Sequence, residues 1–202
     1  MRITSIRLQV KRQGRYSVFV DGKFAFSLSE AALLDSKLAS GSELGQKELA
    51  EYKKLSADDK LYQQTLRWVA MRSRSHWEVE SYLERKNASP TLNKLILSKL
   101  RNIGLIDDNK LATTYVSDRY LLRPASRRKI IAELRKKHLP EKDIKAAFKD
   151  DEGQEQAALL QVIANKRRQA KYRDNLKLMQ YLARQGFNYD DIKQALRADA
   201  NN

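Results

Sequence analysis

A chain of 202 residues with 40 Lys and Arg against 25 Asp and Glu carries a formal charge of +15, so polyanions are its natural partners. Hydrophobic residues make up 42% of it and are spread throughout, so it folds and is not merely a basic tail. The lack of cysteine excludes disulfides and thiolate metal sites, and no apolar run approaches the ~20 residues of a membrane helix.

The opening stretch, from Met1 to Gln13, has no signal-type apolar core, so the expected address is the cytoplasm. Ile3, Ile6, Leu8 and Val10 begin an alternating apolar pattern that Gln13-Gly14 interrupts and Tyr16, Val18 and Val20 resume. Asp21-Gly22 then precedes Phe24, Phe26 and Leu28. Asp-Gly between two alternating runs predicts a tight hairpin, because both turn positions need positive φ. A β-hairpin or three-stranded antiparallel sheet follows, too small to stand alone and expected to pack on a helix near Ser29 to Leu38. Ser40-Gly41 marks a break, and Glu43 to Leu55 returns to helical spacing.

From Asp58 onward strand patterns vanish and the chain resembles itself. Leu83, Leu134 and Leu182 serve as anchors, spaced 51 and 48 residues apart. Eight residues before each stands a good N-cap: Ser75, Ser126 and Asp174. One helical turn before each stands Val79, Ile130 and Leu178. Arg72, Arg123 and Lys171 lie eleven before the anchors; Leu97, Phe148 and Leu196 lie fourteen after them. Ile144 and Ile192 lie ten after the second and third. Each unit reads as a helix, a capped helix and a third helix. In the first unit Ser75 and Glu78 form a capping box, and Pro90 suits the first turn of the helix that follows. The expected fold is mainly α, with tandem three-helix repeats in an elongated, curved array behind the small N-terminal sheet. The expected divisions are 1–56, 57–106, 107–151 and 152–202.

A search for chemistry finds none of the phosphate-loop, dinucleotide, nucleophile-elbow or zinc-helix signatures. His76 and His138 are the two histidines and lie in different repeats. Asp107-Asp108 stands before a helical run, where capping explains a carboxylate better than metal binding does; Asp58-Asp59 and Asp190-Asp191 read alike. No catalytic residue, metal or cofactor is assigned.

The cations are more informative. The net charge is +5 over residues 104–150 but +2 over 151–202. Arg119, Arg123, Arg127, Arg128, Lys129, Arg135, Lys136 and Lys137 cluster with Glu133 as the one carboxylate among them. Arg135, Lys136 and Lys137 close a helix, where positive charge complements the dipole, and Lys166 to Arg168 do the same. Arg127, Arg128 and Lys129 follow the Ser126 cap, where each opposes the dipole by ~0.3–1 kcal/mol. An open helix start lined with arginines is expected to seat a phosphate or carboxylate.

Gly104-Leu105-Ile106-Asp107-Asp108, Ala112, Tyr115-Val116, Arg119 and Arg123-Pro124-Ala125-Ser126-Arg127-Arg128 resemble the core signature of the RecX family, continued by Ile130, Glu133-Leu134-Arg135 and Lys137. Arg72-Ser73-Arg74-Ser75, Trp77-Glu78-Val79, Tyr82-Leu83 and Arg85-Lys86 resemble the preceding repeat of that family. Val20-Asp21-Gly22 and Phe24-Ala25-Phe26-Ser27 are similar to the hairpin of its longer members. Departures are Ser73 for a usual proline, His138 for a helix-closing glycine, Leu111 for phenylalanine and Asn93 at an apolar place. The resemblance implies a modulator that binds the RecA recombinase, above all its filament on single-stranded DNA, and restrains ATPase and strand exchange; a monomer is expected. Direct contact with single- and double-stranded DNA is a further expectation; a membrane or small-molecule partner is not. Arg72 and Arg74 join the eight cations above as the expected partner-binding residues. The alternative is a helical nucleic-acid-binding module acting without RecA.

Overall fold

The structure, a computed structural model, describes residues 1–149, 151 and 153–200. It is mainly helical, with one three-stranded antiparallel sheet at its N-terminal end. Its contacts divide into two compact units, residues 1–72 with 83–100 and residues 73–82 with 101–202.

In the first unit β1 (Ile3–Leu8), β2 (Arg15–Val20) and β3 (Lys23–Ser29) pair in sequence order. Asp21 and Gly22 hold φ of 48° and 81°, the tight turn expected of Asp-Gly. A bulge between Ile3 and Ser5 explains the uneven apolar spacing of β1: Ile3 opposes Val20 and Ile6 opposes Val18, so three residues advance against two. Val10, expected to extend β1, lies beyond it and is fully exposed. Ile3, Val18, Val20, Phe26 and Leu28 form the buried face, with Leu44 and, at its edge, Leu49 and Tyr52.

Helix α1 (Glu30–Ser36) begins at the Ser29 cap. Helix α2 (Gln46–Ala70) then runs 25 residues, past the point near Leu55 where helical spacing was expected to pause. Ser56-Ala57-Asp58-Asp59 contains neither glycine nor proline, and nothing there stops a helix. Asp59 is therefore not a cap but a buried mid-helix carboxylate, 2.9 Å from the Arg15 guanidinium. It also accepts hydrogen bonds from the Ser29 N–H and hydroxyl, at 2.8 and 2.6 Å, and so ties α2 to the last residue of the sheet.

The anchors behave as their spacing predicts: Val79, Leu83, Ile130, Leu134, Leu178 and Leu182 are all completely buried. Each anchor helix also closes in one way. Asn87, His138 and Gly186, each four residues past its anchor leucine, hold φ of 57°, 54° and 90°. The next N–H, from Ala88, Leu139 or Phe187, donates back to the anchor carbonyl. This is the Schellman closure, which glycine enters most easily and Asn87 and His138 enter with a side chain.

Helix α3 (His76–Arg85) contributes to both units, and α4 (Pro90–Asn102) starts at Pro90 as its sequence predicts. In the second unit the triplet α5 (Asp108–Leu122), α6 (Arg127–Lys136) and α7 (Glu141–Ala146) encloses Val116, Ile130, Leu134, Ile144 and Phe148. Helix α8 (Gln154–Arg167), a 3-10 turn (Ala170–Tyr172), α9 (Asn175–Arg184) and α10 (Tyr189–Ala200) enclose Leu159, Ile163, Leu178, Leu182 and Ile192.

Two hydrogen bonds join successive repeats, and both recur. The Ser75 hydroxyl donates to the Lys137 carbonyl, and the Ser126 hydroxyl to the Gln185 carbonyl, each at 2.7 Å. The first helical N–H after each cap, from His76 or Arg127, donates to a carboxylate from the first helix of the next repeat, Asp108 or Glu155, at 2.8 and 2.9 Å. Helices α3 and α6 thus have their starts satisfied in part by the neighbouring repeat, which answers the need of otherwise unpaired N–H groups.

Candidate partner-binding surface

Helix α6 carries half of the expected cations, and its N-terminal corner is not the open anion seat expected from its sequence. Lys129 donates its N–H to the Ser126 hydroxyl at 3.2 Å, and Glu155 takes the Arg127 N–H. The Arg127 guanidinium lies 3.6 Å from Asp151 and 4.8 Å from the centre of the Phe148 ring. The chain supplies its own anions to this helix start, so the dipole penalty of three cations is offset internally.

The remaining expected residues fall into two sets. Arg74 is buried, with Glu78 one helical turn away at 3.9 Å, which removes it from any docking surface. Arg119 is half-buried against Glu133: one guanidinium N–H donates at 3.2 Å, while Nε approaches the other oxygen at 2.9 Å without hydrogen-bond geometry. Tyr115 donates its hydroxyl to Glu133 at 2.9 Å, so α5 and α6 share this carboxylate. Burial first, then the Glu133 bond, raises the Tyr115 pKa above its ordinary value, which keeps the phenol a donor. Lys137 is half-buried over the Tyr115 ring, at 5.6 Å from its centre. Arg135 donates twice to Glu141, at 2.6 and 3.1 Å, and this hydrogen bonding is the main reason the Glu141 carboxyl titrates below its usual range. Both side chains are largely exposed, so this pair adds little stability.

Arg72, Arg123, Arg128 and Lys136 are exposed. Arg128 and Lys129 line a groove of about 430 Å³ together with Ala132, Ala183, Arg184, Gln185 and Gly186. The Lys129 ammonium donates to the Gln185 amide oxygen at 2.7 Å, which holds it at the groove wall. Among the described residues no carboxylate lines this groove, so its three cations meet no described anion there. Arg184 was missed by the sequence reading. It lies two residues past Leu182, as Lys136 lies two past Leu134, and aligning the repeats on charge as well as on caps would have found it.

Asp107 caps α5, accepting the Lys110 N–H at 2.9 Å, as expected of a carboxylate before a helix. Asp108 does something the sequence did not indicate, since it holds the His76 N–H of the preceding repeat. Burial raises its pKa and, in the same contact, burial followed by Arg101 lowers that of His76. His138 stacks on Trp77 with ring centres 3.7 Å apart.

The description of the regulatory protein RecX N-terminal domain matches residues 1–45. Those of the second and third RecX three-helix domains match 107–147 and 153–196. "Regulatory protein RecX" of Limosilactobacillus reuteri is 31% identical over 200 residues, covering 95% of this chain and 75% of its own. The chain belongs to the RecX family. The RecX protein of Bacillus subtilis is 27% identical over 199 residues, again with 75% of its length covered. The chain spans about half of the Lactobacillus johnsonii and Lactobacillus gasseri RecX proteins, 49% and 56% of their lengths. A crystal structure of regulatory protein RecX superposes with a TM-score of 0.73 at 27% identity, covering 97% of this chain and 98% of the other. RecX of Lactobacillus salivarius shares the fold, with a TM-score of 0.60 at 23% identity over 70% of this chain and 95% of that one. The fold expected of the family resemblance is thus the one found, with its three-stranded sheet and three-helix domains.

Proposed function

We propose that this RecX chain binds the RecA recombinase, as its filament on single-stranded DNA, and restrains ATPase and strand exchange. It acts by occupancy and not as an enzyme. The observation that carries the reading is the α6–α9 groove, where Arg128, Lys129 and Arg184 line the wall with no carboxylate among the described lining residues. Such a surface suits an acidic protein face or a phosphate track, and a filament on DNA offers both. Exposed Arg123 and Lys136 extend the same charge along α5 and α6. We also assign the chain to the cytoplasm as a monomer, with functional modules over 1–56, 57–106, 107–151 and 152–202. Among the described residues no helix is long and apolar enough to cross a membrane.

Co-sedimentation with RecA filaments, run beside bare single-stranded DNA, tests the reading. Wild-type chain is expected to pellet with the filament and to slow strand exchange. The pair Arg128→Glu and Arg184→Glu is expected to lose at least about tenfold in filament affinity, the scale of a ~1.4 kcal/mol electrostatic loss. Equal pelleting of both proteins with unchanged strand exchange would remove the groove from the interface. Equal binding to bare DNA with no response to recombinase favours the nucleic-acid module acting alone.

A further inference from the structure

The first unit holds a second donor-rich cleft, which shares no lining residue with the α6–α9 groove. Its walls are the β1–β2 turn, Arg12-Gln13-Gly14, and one stripe of α2: Lys60, Gln63, Gln64 and Arg67. Those helix positions follow at i, i+3, i+4 and i+7, so they stand on one face. The cleft encloses about 150 Å³ and has buried Arg15 and Ser29 at its floor.

Its electrostatics are one-sided for a specific reason. Arg15 is neutralised by Asp59 at 2.9 Å and spends its other donors on the Ser27 hydroxyl and the Ser27 and Ser56 carbonyls. Asp59 is likewise consumed by Arg15 and Ser29, so the nearest buried carboxylate has no charge left for the cleft. Glu30 sits at the rim, its N–H donating to the Gly14 carbonyl at 3.0 Å, but it is not a lining residue. Among the described residues, Arg12, Lys60 and Arg67 have no carboxylate within 4.0 Å. Three unneutralised cations and three glutamine amides able to donate N–H bonds therefore converge where no carboxylate among the described residues competes.

We propose that this cleft is a phosphodiester-binding site, holding the backbone of a nucleic-acid strand. Arg12 and Arg67 supply planar forks for phosphate oxygens, Lys60 a point charge, and Gln63 and Gln64 neutral donors. No aromatic ring lines the cleft, so bases find nothing to stack on, and the contact positions the strand without reading its sequence. The assignment is independent of the filament reading, because it concerns a different unit and different residues.

The test measures binding of the full chain to an oligo-dT strand by fluorescence anisotropy across a salt series, without recombinase. Two triple variants are compared. Arg12→Ser/Lys60→Gln/Arg67→Gln empties the cleft of charge; Lys47→Gln/Lys53→Gln/Lys54→Gln removes the same charge from exposed sites of the same unit. The cleft variant is expected to lose at least about tenfold in affinity. Its slope of log affinity against log salt should shrink by roughly 2, at ~0.7 per neutralised phosphate. The control variant is expected to keep the wild-type slope. A strand of abasic deoxyribose phosphates should bind with the same dependence on the cleft, and protection of Lys60 from acetylation by that strand reports the contact in wild-type protein. Equal losses in the two variants, or wild-type binding by the cleft variant, would overturn the proposal. So would displacement of the strand by inorganic pyrophosphate at matched ionic strength and equal phosphate concentration, which would make the cleft a free-anion site.

Discussion

Gly186 offers the sharpest trial of the repeat junction. A Cβ built there would lie 2.7 Å from the Ser126 hydroxyl oxygen and 3.5 Å from the Arg128 Cβ, on a backbone with φ of 90°. Gly186→Ala therefore meets two separate costs. The left-handed backbone costs about 1–2 kcal/mol for a residue with a Cβ. Displacing the Ser126 hydroxyl from the Gln185 carbonyl costs about 0.5–1.5 kcal/mol more. The sum is about 1.5–3.5 kcal/mol of unfolding free energy, read by urea denaturation followed by far-UV circular dichroism. A double-mutant cycle separates the two parts, because in a Ser126→Ala background the clashing oxygen is gone and only the backbone cost of about 1–2 kcal/mol remains. Equal costs in the two backgrounds would show that the hydroxyl contact contributes nothing. A cost below about 0.5 kcal/mol in the wild-type background would refute the backbone argument as well.

Asp59→Asn is expected to destabilise the first unit by about 3–5 kcal/mol, since it leaves the buried Arg15 guanidinium without its counter-charge; thermal melting of the full chain checks it. Asn93→Leu should do the opposite: Asn93 is buried with a side-chain oxygen that has no hydrogen-bond partner among the described residues, and removing it should gain about 1 kcal/mol in urea titration. His76 gives a pH dependence. Its folded pKa lies below the ordinary 6.5, so its contribution is complete above that value and is lost as pH falls through the folded pKa. Asp108 works in the other sense, its raised pKa favouring the folded state at low pH. Between roughly pH 7.5 and 5.5, wild-type chain should therefore lose more stability than His76→Gln, with Asp108 common to both; parallel stability curves would exclude the imidazole.

The parts of this fold that were legible are those written in local spacing. Val79 and Leu83, and their counterparts in the next two repeats, lie one turn apart wherever the helix is placed, and one face of such a helix must be buried. Asp21-Gly22 fixed the hairpin because its conformation is a property of two adjacent residues. What stayed hidden depends on groups far apart in the chain. The Arg127 corner looked open because the carboxylate that fills it, Glu155, is 28 residues downstream. Asp58-Asp59 looked like a cap because a carboxylate before a helix and one inside it read alike, and only the Arg15 contact distinguishes them. Arg74 looked exposed because arginine usually is, yet it is 9% exposed.

The serine that opens α3 or α6 divides its two capacities between its own repeat and the next. Its oxygen receives an N–H from its own helix, and its single proton goes to a backbone oxygen of the following repeat. Alanine loses both roles, and aspartate retains the first while lacking the proton for the second. Asp174 occupies this place in the last of the three and accepts from Leu176 and Lys177. The serine caps of α3 and α6 therefore each tie two repeats together with one proton, a bond that a carboxylate in the same place cannot donate.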